Sequence, residues 1–295
     1  MTDHPQPPRR DGRVEVATLT LPPLVWLVIF FVIPVLILAA ISLSPAGMTV
    51  EISPTPSIEH YREALDPFYL NILLRSLGYA VLATLLTLLI AFPAAYFIAS
   101  SPPRRQVWLL FLVFLPLWTN LLVRLYSFKI ILGDNGLVNQ VLQALALVSE
   151  PLTLIYTPLS VVIGFVYWNL PYMIPPIYAA LERMNPSLLE ASMDLGASRA
   201  ATFWHIVIPA SLPGVAAGVI LCFVPTLGSF IVPDILGGPD SMMVGNLIAA
   251  QFGPGLNWPF GSALATVLTL LVTVGVTLYI RYAGPGGQPG RDGRT

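Results

Sequence analysis

Polar and aromatic side chains are scarce within the long apolar stretches of this 295-residue chain, and they are the first candidates for chemistry. If the stretches cross a membrane, such groups either line a path for a solute or join helices and anchor them at the interface. The residue types and spacing leave both interpretations open. The candidates for a path are Trp118, Asn120, Asn169 and Tyr172 within the stretches, and Ser229, Phe230 and Asp234 directly after one of them.

A second group of candidates lies in the polar segment 181–211, which separates two apolar stretches. Asn185 is a good N-cap for a short helix, and Gly196 stands where a left-handed residue would end that helix. Ser198 can cap a second short helix over 199–207, which we expect Pro209 and Pro213 to stop before the next apolar stretch begins. The pattern predicts a rigid helix–glycine–helix element, which either rests on lipid headgroups or docks a cytoplasmic partner.

Several kinds of chemistry are excluded by residue types that the chain lacks. A phosphate-binding loop needs a lysine after a glycine, but the only lysine, Lys129, follows Phe128. A single cysteine, Cys222, excludes a disulfide framework and a multi-cysteine zinc site within the chain. The formal net charge of −1 lacks the basic surplus that nucleic-acid binding requires. We therefore expect no enzyme activity, no cofactor and no nucleic-acid partner for this chain.

The composition is that of a membrane protein. Hydrophobic residues make up 56% of the chain and charged residues 10%, whereas soluble domains carry roughly 25% charged residues. Six apolar stretches approach or exceed the length of about 20 residues that a bilayer requires. They occupy residues 21–43, 76–100, 107–123, 153–180, 212–228 and 259–280. The first is longer than the roughly 7–15 apolar residues of a signal peptide, so we expect a retained span.

The basic residues predict how the six spans are oriented. With the N-terminus in the cytoplasm, ten of the 14 basic residues lie on the cytoplasmic side and four lie outside. Six spans then return the C-terminus to the cytoplasm. The prediction is a transmembrane domain over 16–283 with the cytoplasmic loop 181–211, between disordered cytoplasmic tails at 1–15 and 284–295. The outer segments are expected to contain short helices over 137–147 and 242–252.

The cytoplasmic loop resembles the EAA loop of binding-protein-dependent ABC importer permeases. That pattern is E-A-A, three positions, G, nine positions and then I-x-L-P. The chain has Glu190-Ala191-Ser192, then Gly196, then Ile206-Val207-Ile208-Pro209 at the same spacing. Ser192 replaces the second alanine and Ile208 replaces leucine, and both changes keep helix and packing. The resemblance favours the docking interpretation, and it implies that the coupling residues are Glu190, Ala191, Ser192, Asp194, Leu195, Gly196, Ile206 and Pro209.

Two further segments, 115–124 and 228–261, are similar to spermidine/putrescine permease subunits, and the likeness extends over most of 15–283. It implies an all-α, six-helix type I ABC importer permease-like fold with a cytoplasmic coupling helix, in a bacterial inner membrane. Permeases for iron, sulfate or opines share parts of these segments, so other solutes stay open. A secondary transporter working alone is the other alternative, and the absence of charged residues from the six cores argues against it.

The resemblance also implies partners. These are two ATP-binding subunits, which hold ATP and Mg²⁺, a second and different permease subunit, an extracytoplasmic solute-binding protein and the surrounding lipid. A polyamine would suit aromatic faces and carboxylates, through cation–π contacts and charge-assisted hydrogen bonds. No acidic residue lies within a span, which predicts a path of low affinity with selectivity in the binding protein. Phe230 and Asp234 are the expected entrance residues.

Overall fold

The computed structural model describes residues 12–45 and 56–283, and within these ranges the chain forms helices and turns without any β-strand. The all-α prediction is confirmed. The α-helices are α1 (Gly12–Leu27), α2 (Ile33–Ser42), α3 (Glu59–Ala64), α4 (Pro67–Ala99), α5 (Pro103–Phe114), α6 (Leu121–Ile131), α7 (Leu137–Ala144), α8 (Pro158–Glu182), α9 (Ser187–Asp194), α10 (Arg199–Thr202), α11 (Ile208–Leu227), α12 (Ile231–Leu236), α13 (Val244–Phe252) and α14 (Trp258–Ala283).

Five helical segments in the described ranges are long and apolar enough to cross a membrane, and a bent pair makes a sixth. The first segment joins α1 to α2 through a π-helical turn at Val28–Val32. The helices α4, α8, α11 and α14 supply the other four. Six predicted spans thus correspond to five helical segments and one bent pair, and the short helices predicted over 137–147 and 242–252 are found as α7 and α13.

The third predicted span, 107–123, is not one straight helix, and this corrects the sequence analysis. The helix α5 passes into a 3₁₀ turn at Leu115–Trp118, and α6 then leaves at 91° to this first part. The backbone is extended at Thr119, and the Asn120 side chain accepts a hydrogen bond from the amide of Leu122 at 2.8 Å. Asn120 therefore starts a new helix, although the residues on either side of the bend are apolar enough for one span.

The helix that begins after Ser198 does not stop at Pro209, which is a second correction. From Arg199 to Leu227 the chain is one helical segment of 29 residues. A proline lacks an amide hydrogen and clashes with the carbonyl four residues earlier, so it would break a regular α-helix. Here a π-helical turn at Phe203–Val207 ends two residues before Pro209, and its wider hydrogen-bond spacing accommodates the proline within the helix. Pro209 is thus the second residue of α11, and Pro213 also lies inside this helix.

Small residues allow α4, α8 and α11 to pack closely at the centre of the fold. Ala91 and Ala95 of α4 are fully buried in one cluster with Met173 of α8 and Cys222 of α11. A Cβ atom at Gly214 of α11 would overlap the carbonyl oxygen of Pro176 in α8. Such close approach is how helices associate in lipid, where the hydrophobic effect does not drive them together. Pro171, Pro175 and Pro176 lie inside α8, which is nevertheless one continuous helix.

The segment 228–252, which the sequence predicts to lie on the outer side, is attached to the long helices by hydrogen bonds to its backbone. The Ser76 hydroxyl of α4 accepts from the amide of Val244 at 2.7 Å. The Ser160 hydroxyl of α8 donates to the carbonyl of Leu236, also at 2.7 Å. The guanidinium of Arg75 donates to the carbonyl of Asp240. These contacts hold α12 and α13 against the ends of α4 and α8. The residues that connect α12 to α13 are therefore held in place as well.

The predicted tails fall mainly outside the described residues. Residues 1–11 and 284–295 are not described, and α1 begins at Gly12, so residues 12–15 of the predicted N-terminal tail are helical. Of the predicted transmembrane domain over 16–283, the structure describes all residues except 46–55.

Candidate functional site

The first short helix of the loop 181–211 is capped at both ends as its sequence predicted. The Asn185 side chain accepts from the amide of Ser187 at 3.1 Å, and α9 begins there. Gly196 has a φ of +86°, and it is the only glycine of the described residues with a positive φ. Its amide bonds the carbonyl of Met193 at 2.9 Å, while the amide of Ala197 bonds that of Ser192 at 3.1 Å. This pair of bonds defines a Schellman motif, so the end of α9 has a fixed geometry.

The second half of the loop is held to the first by a hydroxyl pair. Ser198 caps α10, because its Oγ accepts from the amide of Ala201 at 3.2 Å. Ser192 Oγ lies 2.9 Å from Thr202 Oγ1, and Thr202 is 6% exposed. Ser192 is the residue that departs from the E-A-A pattern, and its hydroxyl joins the two short helices. Sequence reasoning did not identify Thr202, because nothing in the spacing shows that the two hydroxyls meet.

The remaining residues of the loop form an exposed surface. Glu190, Ala191 and Asp194 are exposed, and the side chain of Leu195 is 89% exposed. Farther along the chain Pro209 is exposed and Ile206 is half-buried. An exposed leucine beside exposed carboxylates, on a helix with fixed ends, suits docking of a protein partner. Of the eight residues expected to act in coupling, four lie in α9 and two in the turn that ends it, while Ile206 lies in the π-helical turn and Pro209 at the start of α11.

Two of the predicted path residues lie at the bend between α5 and α6. Trp118 is 75% exposed, and its ring meets that of Phe111 edge-on at 5.5 Å. Asn120 is exposed, and its side-chain oxygen is used as the N-cap of α6. The side chain of Asn120 therefore has a structural role in the bend.

The two candidates on α8 have different surroundings. Asn169 is fully buried, and its Nδ2 donates to Thr226 Oγ1 of α11 at 3.0 Å. Asn169 therefore joins two helices, which was the structural alternative for this residue. Tyr172 is 37% exposed, and its ring stacks on that of Trp168 with the centroids 6.3 Å apart. Tyr172 thus has a face from which a solute could be contacted, whereas Asn169 has none.

The three candidates after α11 lie at two neighbouring cavities. A cavity of 200 Å³ has Trp168, Ser229 and Phe230 in its wall, and the buried Thr226 also lines it. A second cavity of 510 Å³ has Phe230 and Asp234 in its wall, together with Asn246 of α13. Phe230 is 47% exposed and is shared by both cavities. The structure therefore brings Ser229, Phe230 and Asp234 together and adds Trp168, whereas Trp118, Asn120 and Asn169 are not in these two walls.

Arg124 is a charged group near this region that sequence reasoning counted only as an outer-side residue. Its guanidinium carbon lies 5.9 Å from the ring centroid of Tyr167 and 5.7 Å from that of Trp168. The Nε and Nη1 atoms are buried and have no hydrogen-bond partner among the described residues. The two aromatic faces stabilise the charge by cation–π contacts. The arginine in the string 115–124 was visible in the sequence, but its contact with α8 was not.

Comparison with known proteins gives a family for the chain. Residues 13–286 match the family described as binding-protein-dependent transport system inner membrane component. The spermidine/putrescine transport system permease protein PotB of Escherichia coli K12 is 38% identical over 256 residues, which cover 87% of this chain and 93% of the relative. The protein of the same name from Haemophilus influenzae is 39% identical over 257 residues, covering 87% of this chain and 90% of the relative.

A solved structure agrees with this assignment at the level of the fold. It is a bacterial alginate ABC transporter in complex with a periplasmic protein bound to an alginate pentasaccharide. The match has a TM-score of 0.74 at 16% sequence identity and covers 92% of this chain and 95% of the solved chain. The chain therefore belongs to the family of binding-protein-dependent transport system inner membrane components, and it is an inner-membrane permease subunit of an ABC importer.

Proposed function

We propose that this permease subunit carries polyamines, putrescine or spermidine, into the cell. The observation that carries the proposal is the identity of 38% with PotB, a permease whose name states spermidine/putrescine transport, over 87% of this chain. The match is long enough to include the loop 181–211, the bend at Asn120 and the outer segment around Phe230.

The two outer cavities supply suitable chemistry for a flexible polycation. Phe230 and Trp168 offer aromatic faces, and a cation–π contact contributes about 0.5–2 kcal/mol. Asp234 offers an exposed carboxylate at the cavity that shares Phe230. A charge-assisted hydrogen bond from an ammonium group to this carboxylate would be favourable by about 1.5–3 kcal/mol. A few contacts of this size suit brief binding during passage, with selectivity provided by the solute-binding protein.

We further propose the assembly in which the subunit works. It would pair with a second, different permease subunit and rest on two ATP-binding subunits, which hold ATP and Mg²⁺ and perform the hydrolysis. An extracytoplasmic solute-binding protein would deliver the polyamine to the side of Asp234. In this arrangement both termini are cytoplasmic, and α9 is the coupling helix that fits a cleft of one ATP-binding subunit. The exposed Leu195 and the fixed turn at Gly196 support that role.

Uptake by the reconstituted transporter tests the substrate. The complex of this chain with its cognate partners is placed in proteoliposomes that contain ATP, and labelled putrescine, spermidine, sulfate or an iron chelate is offered with the binding protein. We expect ATP-dependent uptake of a polyamine. Uptake of sulfate or of the iron chelate, without polyamine uptake, would overturn the substrate while leaving the family assignment intact.

A matched pair of acidic residues tests the entrance. Asp234 lines the outer cavity, whereas Asp240 is an exposed aspartate of the same segment that does not line it. We expect Asp234→Asn to lower polyamine uptake at limiting solute about tenfold, because one charge-assisted hydrogen bond is weakened. Asp240→Asn should transport at close to the native rate. Equal effects of the two substitutions would show that general surface charge, and not a site at Asp234, attracts the solute.

An anionic solute is the second candidate, and Arg124 favours it. Its guanidinium lacks an acidic partner among the described residues and lies beside Trp168, which lines one of the two cavities. A fixed positive charge there would attract sulfate and repel a polyamine. Sulfate uptake that is lost in Arg124→Gln would establish this alternative. Polyamine uptake by Arg124→Gln at or above the native rate would reject the hypothesis of an anionic solute.

A further inference from the structure

An apolar groove of 350 Å³ lies between α4, α5 and α8, away from the two outer cavities. Its wall includes Ala94 and Phe97 of α4, Leu112 and Val113 of α5, and Leu170 of α8. Tyr167 is the only residue of the lining whose side chain carries a polar atom. Phe97 is 51% exposed and Leu112 is 57% exposed, so the groove is open along the side of the helices. A groove of this kind within a transmembrane domain must be filled by something apolar, because an empty one forfeits van der Waals contacts on one side.

One guanidinium lies against a residue of the groove, and a second arginine precedes it in the sequence. The guanidinium of Arg105 lies 5.0 Å above the ring centroid of Phe97, and Phe97 is part of the groove. Arg104 precedes it in the first turn of α5, and both arginines are exposed. The one ion pair found among the described residues joins His60 and Glu63, so neither arginine has an acidic partner in that part of the chain. Both charges are thus free of an acidic partner in the described part of the chain, and that of Arg105 lies beside the apolar groove.

A hydrogen-bond network fixes the turn beside which the two arginines begin α5. Gln106 Nε2 donates to the carbonyls of Ala99 at 3.1 Å and Ser101 at 2.9 Å, which closes the turn between α4 and α5. The Tyr178 hydroxyl of α8 donates to Gln106 Oε1 at 3.2 Å. The turn is therefore fixed to all three helices that form the groove. Trp108, one turn after Arg105, is 64% exposed, as is usual for a tryptophan at a membrane interface.

From this geometry we infer a binding site for one anionic phospholipid. Its phosphate contacts the guanidinium groups of Arg104 and Arg105, and one of its acyl chains occupies the groove towards the middle of the membrane. The lining matches a hydrocarbon chain, and the charge at the end of the groove matches an anionic headgroup. The site lies at the end of α4 that is opposite Arg75 and the outer segment, so it belongs to the leaflet on the far side from the solute cavities. The inference is independent of which solute is transported.

Photochemical cross-linking tests the site in the intact transporter. The complex is reconstituted in nanodiscs of phosphatidylethanolamine with a small fraction of phosphatidylglycerol that carries a diazirine in one acyl chain. After irradiation, peptides of this chain are analysed by mass spectrometry. We expect labels on α5 and α8 at the groove, around Leu112, Val113 and Leu170, and we expect unlabelled phosphatidylglycerol to compete for them. A phosphatidylcholine probe with the same diazirine should label these residues much less.

Two kinds of variants distinguish the contribution of the lipid headgroup from that of the acyl chain in the groove. Arg104→Gln and Arg105→Gln should each lower specific labelling about fivefold, because one basic residue near an anionic surface contributes about that factor. Ala94→Phe keeps both arginines but fills the groove, and it should also lower labelling. The control is Arg281→Gln, since Arg281 is an exposed cation in the last turn of α14 that borders no part of this groove.

Three results would overturn the inference. Equal labelling by the two probes would show that the headgroup charge does not matter. Labelling that survives both arginine substitutions would remove the proposed phosphate contact. Lipid labels elsewhere on the chain, with none on the groove residues, would show that no acyl chain enters the groove in the assembled transporter. Uptake of the solute is measured on the same samples, so failure of the lipid site is distinguishable from failure of the polyamine assignment.

Discussion

Ser192 departs from the EAA pattern, and its hydroxyl forms a hydrogen bond between two helices. Where the EAA pattern has alanine, Ser192 Oγ lies 2.9 Å from Thr202 Oγ1 and joins α9 to α10. We expect Ser192→Ala, which restores the family residue, to lower the free energy of unfolding by about 1 kcal/mol. Thermal unfolding of the purified complex measures this. A double-mutant cycle with Thr202→Val is the control, and strictly additive effects would contradict a bond between the two side chains.

A substitution at Gly196 changes the backbone geometry of the turn without creating a side-chain clash. It therefore tests whether that geometry couples the loop to the ATP-binding subunits. Nothing lies within 4 Å of a Cβ atom built at Gly196, but its φ of +86° is unfavourable for any other residue. We expect Gly196→Val to strain the turn by about 1 kcal/mol or more and to change the angle at which α9 meets α10. Docking of the ATP-binding subunits should weaken, so that binding-protein-stimulated hydrolysis and transport fall together. Gly275→Val is the matched control, because its Cβ position is equally open and its φ is not positive.

Reversing the charge of Glu190 tests whether α9 docks the ATP-binding subunit. It is exposed on α9, so a substitution there does not disturb packing. We expect Glu190→Arg to insert normally and to meet the binding protein, but to retain less ATP-binding subunit during purification than the native chain does. Native docking and a native transport rate in this variant would mean that Glu190 is a solvated residue outside the coupling surface.

At the scale of the element, the bend between α5 and α6 depends on one cap. We expect Asn120→Ala to destabilise the bend by about 1 kcal/mol, because the amide of Leu122 loses its acceptor. Asn120→Asp keeps an acceptor and should be close to native in stability. Differential scanning calorimetry of both variants, combined with transport assays, distinguishes this structural role from contact with the solute. If Asn120→Asp is stable but changes transport strongly, Asn120 also contacts the solute.

The element boundaries show what sequence patterns determine and what they leave open. Length and apolar content located all six stretches, and the caps at Asn185 and Gly196 were predicted with their residues. The bend near Thr119 was missed because an N-cap asparagine within an apolar run has the same composition as a continuous span. The stop at Pro209 was wrong because a π-helical turn, which has no sequence signature of its own, accommodates the proline.

Long-range contacts account for the rest of what the sequence did not reveal. Asn169 and Thr226 are 57 residues apart, and their bond depends on how α8 and α11 pack. The same holds for Arg124, whose two aromatic partners lie on another helix. Polar residues within spans could therefore be identified from the sequence, but a helix-joining role and a solute-facing role could be separated only in three dimensions.

At the scale of the whole molecule, the orientation in the membrane can be tested with single cysteines. The native Cys222 is fully buried, so it need not be removed. Glu59 and Ser187 are both exposed and lie on opposite sides of the predicted topology. We expect Glu59→Cys to react with an impermeant maleimide added to intact spheroplasts, and Ser187→Cys to react only after the membrane is opened. The reverse pattern would invert the orientation inferred from the basic residues.

Because the chain from Arg199 to Leu227 is one continuous helix, a movement at one end of it is transmitted to the other end. With a rise of 1.5 Å per residue, its 29 residues extend about 43 Å, from the turn beside Gly196 to the residues just before Ser229 and Phe230. A tilt of about 5° around its midpoint would move each end by about 2 Å in opposite directions, by the geometry of a rod of that length. In the proposed assembly, movement of the loop by an ATP-binding subunit would be passed along this helix to the cavity at Ser229 and Phe230, and the π-helical turn at Phe203–Val207 is where the helix is expected to bend first.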